Sequence, residues 1–307
     1  MHLGGHGYSI GRQRLLEIFA KRAINLGVRI QFEREVEDLS QLPAADLIVA
    51  CDGVNSRLRR LHADQFQTSL EGRRNKYIWL GTTKVFDAFT FAFVQTVAGW
   101  IWFHAYGFGY EASTCIVECS PETWRGLGFD RLGRDEGIAL LERTFDRYLD
   151  GYPLIDQGGD VARTPWLNFR EVTNGRWHHH NLVLMGDAAH TTRFTIGSGT
   201  RLALQDAIGL AARLHEHKDV RSALQAYEKQ RKAALLLARR QACNSARWFE
   251  NIPRYIGLDS RQFATLLSQR RSRLLAHLPP GAYCQLHQAA RKVALLRRLR
   301  KRGTPKA

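Results

Sequence analysis

The chain has 307 residues, with 45 Lys and Arg against 29 Asp and Glu, a net charge of +16 and 44% hydrophobic residues. This supplies core material for one or two domains and excludes disorder by composition. No apolar run is long enough for a transmembrane helix, no leader peptide is legible, and five cysteines (51, 115, 119, 243, 284) without a C-x-x-C fit neither a disulfide scaffold nor a zinc ribbon, so the cytoplasm is the expected compartment.

Taken along the chain, the first glycines (Gly4, Gly5, Gly7) are not a phosphate loop, because Ile10 stands where the third glycine belongs and no strand precedes them. Leu16, Phe19, Ala20, Ala23 and Leu26 predict a helix over 11–26, closed by Gly27. Val28, Ile30 and Phe32 alternate as a strand. Residues 46–50 (DLIVA) read as a buried parallel strand that runs into Cys51-Asp52-Gly53. Residues 77–82, 88–94, 99–106 and 113–119 are aromatic or β-branched runs with short separators, as in an antiparallel sheet. A helix follows at 134–150, a second buried strand at 181–185, and helical patterns at 201–215, 220–249, 260–276 and 285–302.

The segment LVLMGDAAHTTRFTIGSGTRLALQDAIGL (182–210) carries the strongest chemical signal. A strand ends at Gly186 and presents the Asp187 carboxylate at a sheet's carboxyl edge, where ligands of open α/β sheets bind. Gly197-Ser198-Gly199-Thr200 then opens a helix whose apolar face is expected to hold Ala203, Ala207, Leu210 and Ala211. A hydroxyl-accepting carboxylate together with an anion-stabilising helix start suits a flavin.

This run resembles the second flavin motif of the group A FAD-dependent aromatic monooxygenases, the para-hydroxybenzoate hydroxylase-like family. LIVACDGVNSRLRR resembles that family's DG motif, matching Asp52, Gly53, Ser56 and Arg59, and GRQRLLEIF resembles the segment whose arginine contacts FAD, here Arg12. RNKYIWLGTTKVFDAFTF, HAYGF, STCIVECSPETW and NSARWFE are similar to the branch holding anthraniloyl-CoA and salicyloyl-CoA hydroxylases and the tryptophan hydroxylase of violacein biosynthesis. The family's N-terminal strand and G-x-G-x-x-G loop have no counterpart here, so a truncated chain is expected.

The resemblance implies an α/β fold. A partial Rossmann-like FAD-binding domain (1–70 and 155–215) carries an inserted antiparallel-sheet substrate domain (71–154), followed by C-terminal helices (216–284) and a basic tail (285–307). It implies FAD and NAD(P)H as cofactors, a small aromatic substrate and O2 as partners, and hydroxylation through a flavin C4a-hydroperoxide with no catalytic side chain and no metal. Arg12, Asp52, Gly53, Gly186, Asp187, Gly197, Ser198, Gly199 and Thr200 are the expected flavin contacts. His104 and Tyr106, on one strand face, are either packing or substrate contacts, and Phe194 is a candidate for touching the substrate. Arg193 and Arg201 either meet a substrate anion or are solvated.

His178-His179-His180 reads as a solvated loop rather than a metal cluster. Residues 261–307 hold twelve Lys or Arg and no acid, which is three quarters of the net charge. Within them Leu286, Ala289, Ala290, Val293 and Leu296 form an apolar stripe, consistent with packing on the body, a membrane surface or anionic ligands. No nucleic-acid partner is expected. The alternatives to an enzyme are a non-catalytic remnant and a binder of anionic surfaces acting through the tail.

Overall fold

The structure is a computed structural model that describes residues 8–156, 166–192, 199–257, 260–269 and 278–302. The chain forms two compact units. The larger spans residues 6–191 and 200–229, and the smaller is mainly 230–307.

The larger unit opens with α1 (Arg12–Asn25). The predicted helix forms, but it buries none of its residues. The strand predicted at 28–32 does not form, and Val28, Ile30 and Phe32 are exposed. An extended segment becomes a strand only with a neighbour on which to spend its backbone hydrogen bonds, and among the described residues this one has none. Strand β1 (Ile48–Ala50) then leads to the short helices α2 (Arg57–Leu61) and α3 (Ala63–Phe66).

The antiparallel sheet follows as β2 (Thr68–Thr82), β3 (Thr90–Thr96), β4 (Gly99–Gly107) and β5 (Ser113–Cys119). After α4 (Pro121–Gly126) and α5 (Arg134–Leu149) come β6 (Leu154–Asp156) and β7 (Leu167–Asn174). The sheet order is β3-β4-β5-β2-β6, and β7 pairs with the first half of β2. Alternate residues of β2, β4 and β5 (Ile78, Leu80, Ile101, Phe103, Ala105, Cys115, Val117, Cys119) form one core with Leu141, Phe145 and Leu149 of α5. The period of two in the strands and the i, i+4, i+8 spacing in the helix account for this face. Cys115 and Cys119 are small core residues, and burial pushes the Cys115 thiol up to about 12.

The second sheet holds β8 (His178–His179) and β9 (Leu182–Leu184) beside β1, in the order β1-β9-β8. Its β1–β9 pair is parallel, with Ile48 opposite Leu182 and Ala50 opposite Leu184. The histidine run is therefore not a solvated loop. His178 and His179 pair with Val183 and Leu182, and His178 Nδ1 lies 3.0 Å from Glu228 Oε2. Helix α6 (Gly199–Glu216) buries Leu202, Asp206, Gly209 and Leu210, a stripe turned one position from the expected one, and it leaves Ala211 exposed. Helix α7 (Val220–Glu250) begins in this unit.

The smaller unit contains the rest of α7, then α8 (Pro253–Ile256), α9 (Ser260–Gln269) and α10 (Pro280–Arg302). Trp248 stacks on Tyr255 at 4.6 Å and meets Phe263 edge-on. Among the described side chains of α10, Tyr283 and Cys284 are buried, whereas Leu286, Ala289, Ala290 and Val293 of the expected stripe are exposed and the Leu296 side chain lies outside the described residues. No helix among the described residues is long and apolar enough to cross a membrane.

Candidate functional site

The parallel register of β1 and β9 decides where the two motifs meet. Both strands end at the same edge, and Met185 N donates to Ala50 O at 3.0 Å. The Cys51-Asp52-Gly53 and Gly186-Asp187 segments therefore leave the sheet side by side. Gly53 and Gly186 both have positive φ (81° and 61°), which lets the chain turn sharply there without a Cβ penalty. A Cβ on Gly186 would also come within 3.3 Å of Ala203 in α6, so the turn packs flush against that helix.

One buried cation ties the two segments together. Arg59 is 1% exposed and donates to Ala188 O at 2.9 Å and to Val54 O at 2.6 Å. The first of these bonds joins residues 129 positions apart. From β7, Asn174 Nδ2 adds a bond to Ala189 O at 2.6 Å. Asp52 faces the start of α2, where its Oδ2 accepts from the Arg57 amide at 2.8 Å and the Leu58 amide at 3.3 Å, while Ser56 caps the Arg59 amide. The sequence matched Asp52, Ser56 and Arg59 to one motif. In the structure the three hold the loop in shape.

Asp187 is the outward-facing member of its turn. The protein around it raises its carboxyl above the ordinary carboxylate range by desolvation, and His190 and Arg12 partly offset this. Arg12 of α1 thus lies within electrostatic reach of Asp187, although 175 residues separate them in sequence. Desolvation by the surrounding protein, with Asp52 and Asp206, pushes the thiol of the exposed Cys51 up to about 11, which disfavours the thiolate at neutral pH. Gly199 and Thr200 form the first turn of α6. Gly197, Ser198, Phe194 and Arg193 lie outside the described residues, and Arg201 is exposed.

His104 and Tyr106 stand on the face of β4 opposite the α5 core. His104 is buried, with Nε2 3.7 Å from Glu118 Oε2, and Asn75 Nδ2 donates to Glu118 Oε1 at 2.8 Å. Phe91 meets His104 edge-on at 4.8 Å, and Phe89 stacks on Tyr106 at 5.4 Å. The buried carboxylate of Glu118 was missed by sequence reasoning. Its signal was an acid at an alternating position in an otherwise apolar strand, STCIVEC.

The residues around Asp187 fit FAD. An exposed carboxylate accepts sugar hydroxyls, Arg12 supplies a cation for a diphosphate, and two side-chain-free positive-φ turns allow close backbone approach. A family model described as "FAD binding domain" matches residues 43–242. The chain belongs to this FAD-binding domain family. It is 37% identical to salicyloyl-CoA 5-hydroxylase from Streptomyces sp over 83% of this chain, and it spans 50% of that relative's length. It is 31% identical to protodeoxyviolaceinate monooxygenase from Chromobacterium violaceum over 86% of this chain and 70% of the relative. A solved tetrameric 2-methyl-3-hydroxypyridine-5-carboxylic acid oxygenase shares the fold, with a TM-score of 0.63 at 18% identity over 85% of this chain and 71% of that one. The α/β architecture with a separate antiparallel sheet is thus that of the FAD-binding domain family.

Proposed function

We propose that this FAD-binding chain hydroxylates a small aromatic substrate of the aryl-CoA or indole type, with NAD(P)H as reductant and O2 as oxygen source. The observation that carries this reading is the side-by-side exit of the Asp52 and Asp187 segments from one parallel strand pair, with Arg12 alongside. The relatives named for salicyloyl-CoA and protodeoxyviolaceinate supply the substrate classes.

When bound, FAD would supply the redox chemistry, passing two electrons from NAD(P)H to O2 so that one oxygen atom enters the ring and the other leaves as water. The chain's part is to hold and orient. Asp187 accepts hydrogen bonds from the flavin's polyhydroxyl chain, and Arg12 neutralises its diphosphate. Gly53, Gly186, Gly197, Ser198, Gly199 and Thr200 let backbone amides approach the cofactor. His104 and Tyr106, set among Phe89 and Phe91, form an aromatic wall that keeps water from the substrate ring, and Phe194, outside the described residues, is assigned to the substrate on the family resemblance alone. The division into an FAD-binding part (1–70 and 155–215), a substrate part (71–154), C-terminal helices and a basic tail follows from this assignment. A reducing compartment such as the cytoplasm is part of the same reading, in line with five cysteines that form no C-x-x-C.

Titration of the purified chain with FAD tests the reading. Quenching of flavin fluorescence and a resolved absorbance band near that of bound flavin are expected, followed by NAD(P)H consumption that salicyloyl-CoA or an indole accelerates. A chain whose melting temperature FAD leaves unchanged, and that quenches no flavin fluorescence, overturns it.

A further inference from the structure

Asp206 lies in the buried stripe of α6 between Leu202 and Leu210, with no exposed surface. A carboxylate there is costly unless it is hydrogen-bonded. Its Oδ2 meets two partners at once: the Gly186 amide donates to it at 3.2 Å, and His190 Nε2 lies 2.7 Å away. The ring nitrogen facing the carboxylate carries a proton and donates it to this bond. His190 is itself only 5% exposed, and Trp177 stacks on its ring at 5.0 Å and 19°. The His190 amide closes the loop by donating to Gly186 O at 3.0 Å. Both ends of the Gly186–His190 turn are therefore gripped by one carboxylate, and Asp187 is the outward-facing residue between them.

We propose that Asp206 and His190 are positioning residues that aim the Asp187 carboxylate. Neither touches the ligand. Asp206 anchors the start of the turn through the Gly186 amide and its end through the imidazole, so the backbone at 187 has one orientation available. This inference rests on the reading of the turn as a flavin-holding element.

A double-mutant cycle on the full chain tests it, with FAD affinity read by fluorescence quenching and the fold of the apo chain read by circular dichroism melts. Asp187→Ala, Asp206→Asn, His190→Gln and the double variants Asp187→Ala/Asp206→Asn and Asp187→Ala/His190→Gln are compared. Each single variant is expected to weaken FAD binding about tenfold, the scale of one lost charge-assisted hydrogen bond. Each double variant should be no weaker than Asp187→Ala alone, because the positioning residues act only through that carboxylate. Asp206→Asn keeps an acceptor for the Gly186 amide, so it retains the fold where Asp206→Ala risks losing it, and His190→Gln carries the same comparison independently. Additive losses in both cycles, or full FAD affinity in both single variants, overturn the inference while leaving the flavin reading intact. Unchanged affinity in Asp187→Ala, or no binding by the wild-type chain, overturns both.

Discussion

At the scale of single residues, Asp187 combines exposure with a raised carboxyl. A group whose folded pKa lies above its unfolded value binds its proton more tightly in the folded state. Its contribution to stability is complete below the ordinary aspartate range and is lost as pH rises through the raised value. At neutral pH the charged side chain is therefore a burden on the apo fold. Asp187→Asn is expected to raise the apo melting temperature at pH 7 relative to wild type, with the gain shrinking toward pH 4, and the same variant should bind FAD more weakly. Equal melting curves at both pH values would refute the burden. Arg59 invites a different substitution. Lysine keeps the charge but cannot span the Val54 and Ala188 carbonyls, which Arg59 reaches with two separate nitrogens. Arg59→Lys should destabilise the chain by about 1.5–3 kcal/mol in urea denaturation, the worth of one hydrogen bond from a charged donor. Asp187 was legible because its strand, turn and helix are contiguous in sequence. The bridge from Asp206 to His190 and Gly186 was not, since it reaches back 16 to 20 residues. An acid in line with Leu202 and Leu210, four residues from each, was the available signal.

At the scale of elements, the antiparallel sheet was readable because β2 to β5 each carry their own strand pattern, and β3, β4 and β5 pair with their neighbours in the chain. Phe103 illustrates the outcome. It is fully buried and meets Phe145 of α5 edge-on at 4.9 Å. Phe103→Ala should cost about 3–5 kcal/mol, the range for emptying a packed aromatic site, and the chain's denaturation midpoint measures it. Strand β7 was not foreseen. Its sequence, LNFREVTN, is too polar to announce a strand, and its partner β2 lies about a hundred residues away. The strand foreseen at 28–32 failed for the opposite reason, having the pattern without a neighbour.

At the scale of the whole molecule, the apolar residues left uncovered are concentrated near the start. Leu16, Ile18, Phe19 and Ile24 of α1, with Leu26, Val28, Ile30 and Phe32 after it, are all exposed. Contiguous apolar surface of this kind binds hydrophobic dyes and promotes association. The chain should enhance the fluorescence of an anilinonaphthalene dye under native conditions, and Phe19→Lys together with Phe32→Lys should remove most of that signal without lowering the melting temperature. Undiminished dye binding in the double variant would place the sticky surface elsewhere. Charge behaves differently at this scale. The +16 is concentrated in residues 261–307, and the remaining 260 residues carry a modest excess.

The double allegiance of β2 sets an order of events during synthesis. One strand of 15 residues pairs with β5 and β6 along its second half and with β7 along its first, where Thr68 faces Asn174. The β3–β4 and β4–β5 hairpins close short loops, and β2 can pair with β5 once residue 119 has left the ribosome. The first half of β2 must then wait, edge bare, until residue 174 emerges. Newly made chains stalled between these two lengths are the ones a chaperone should hold.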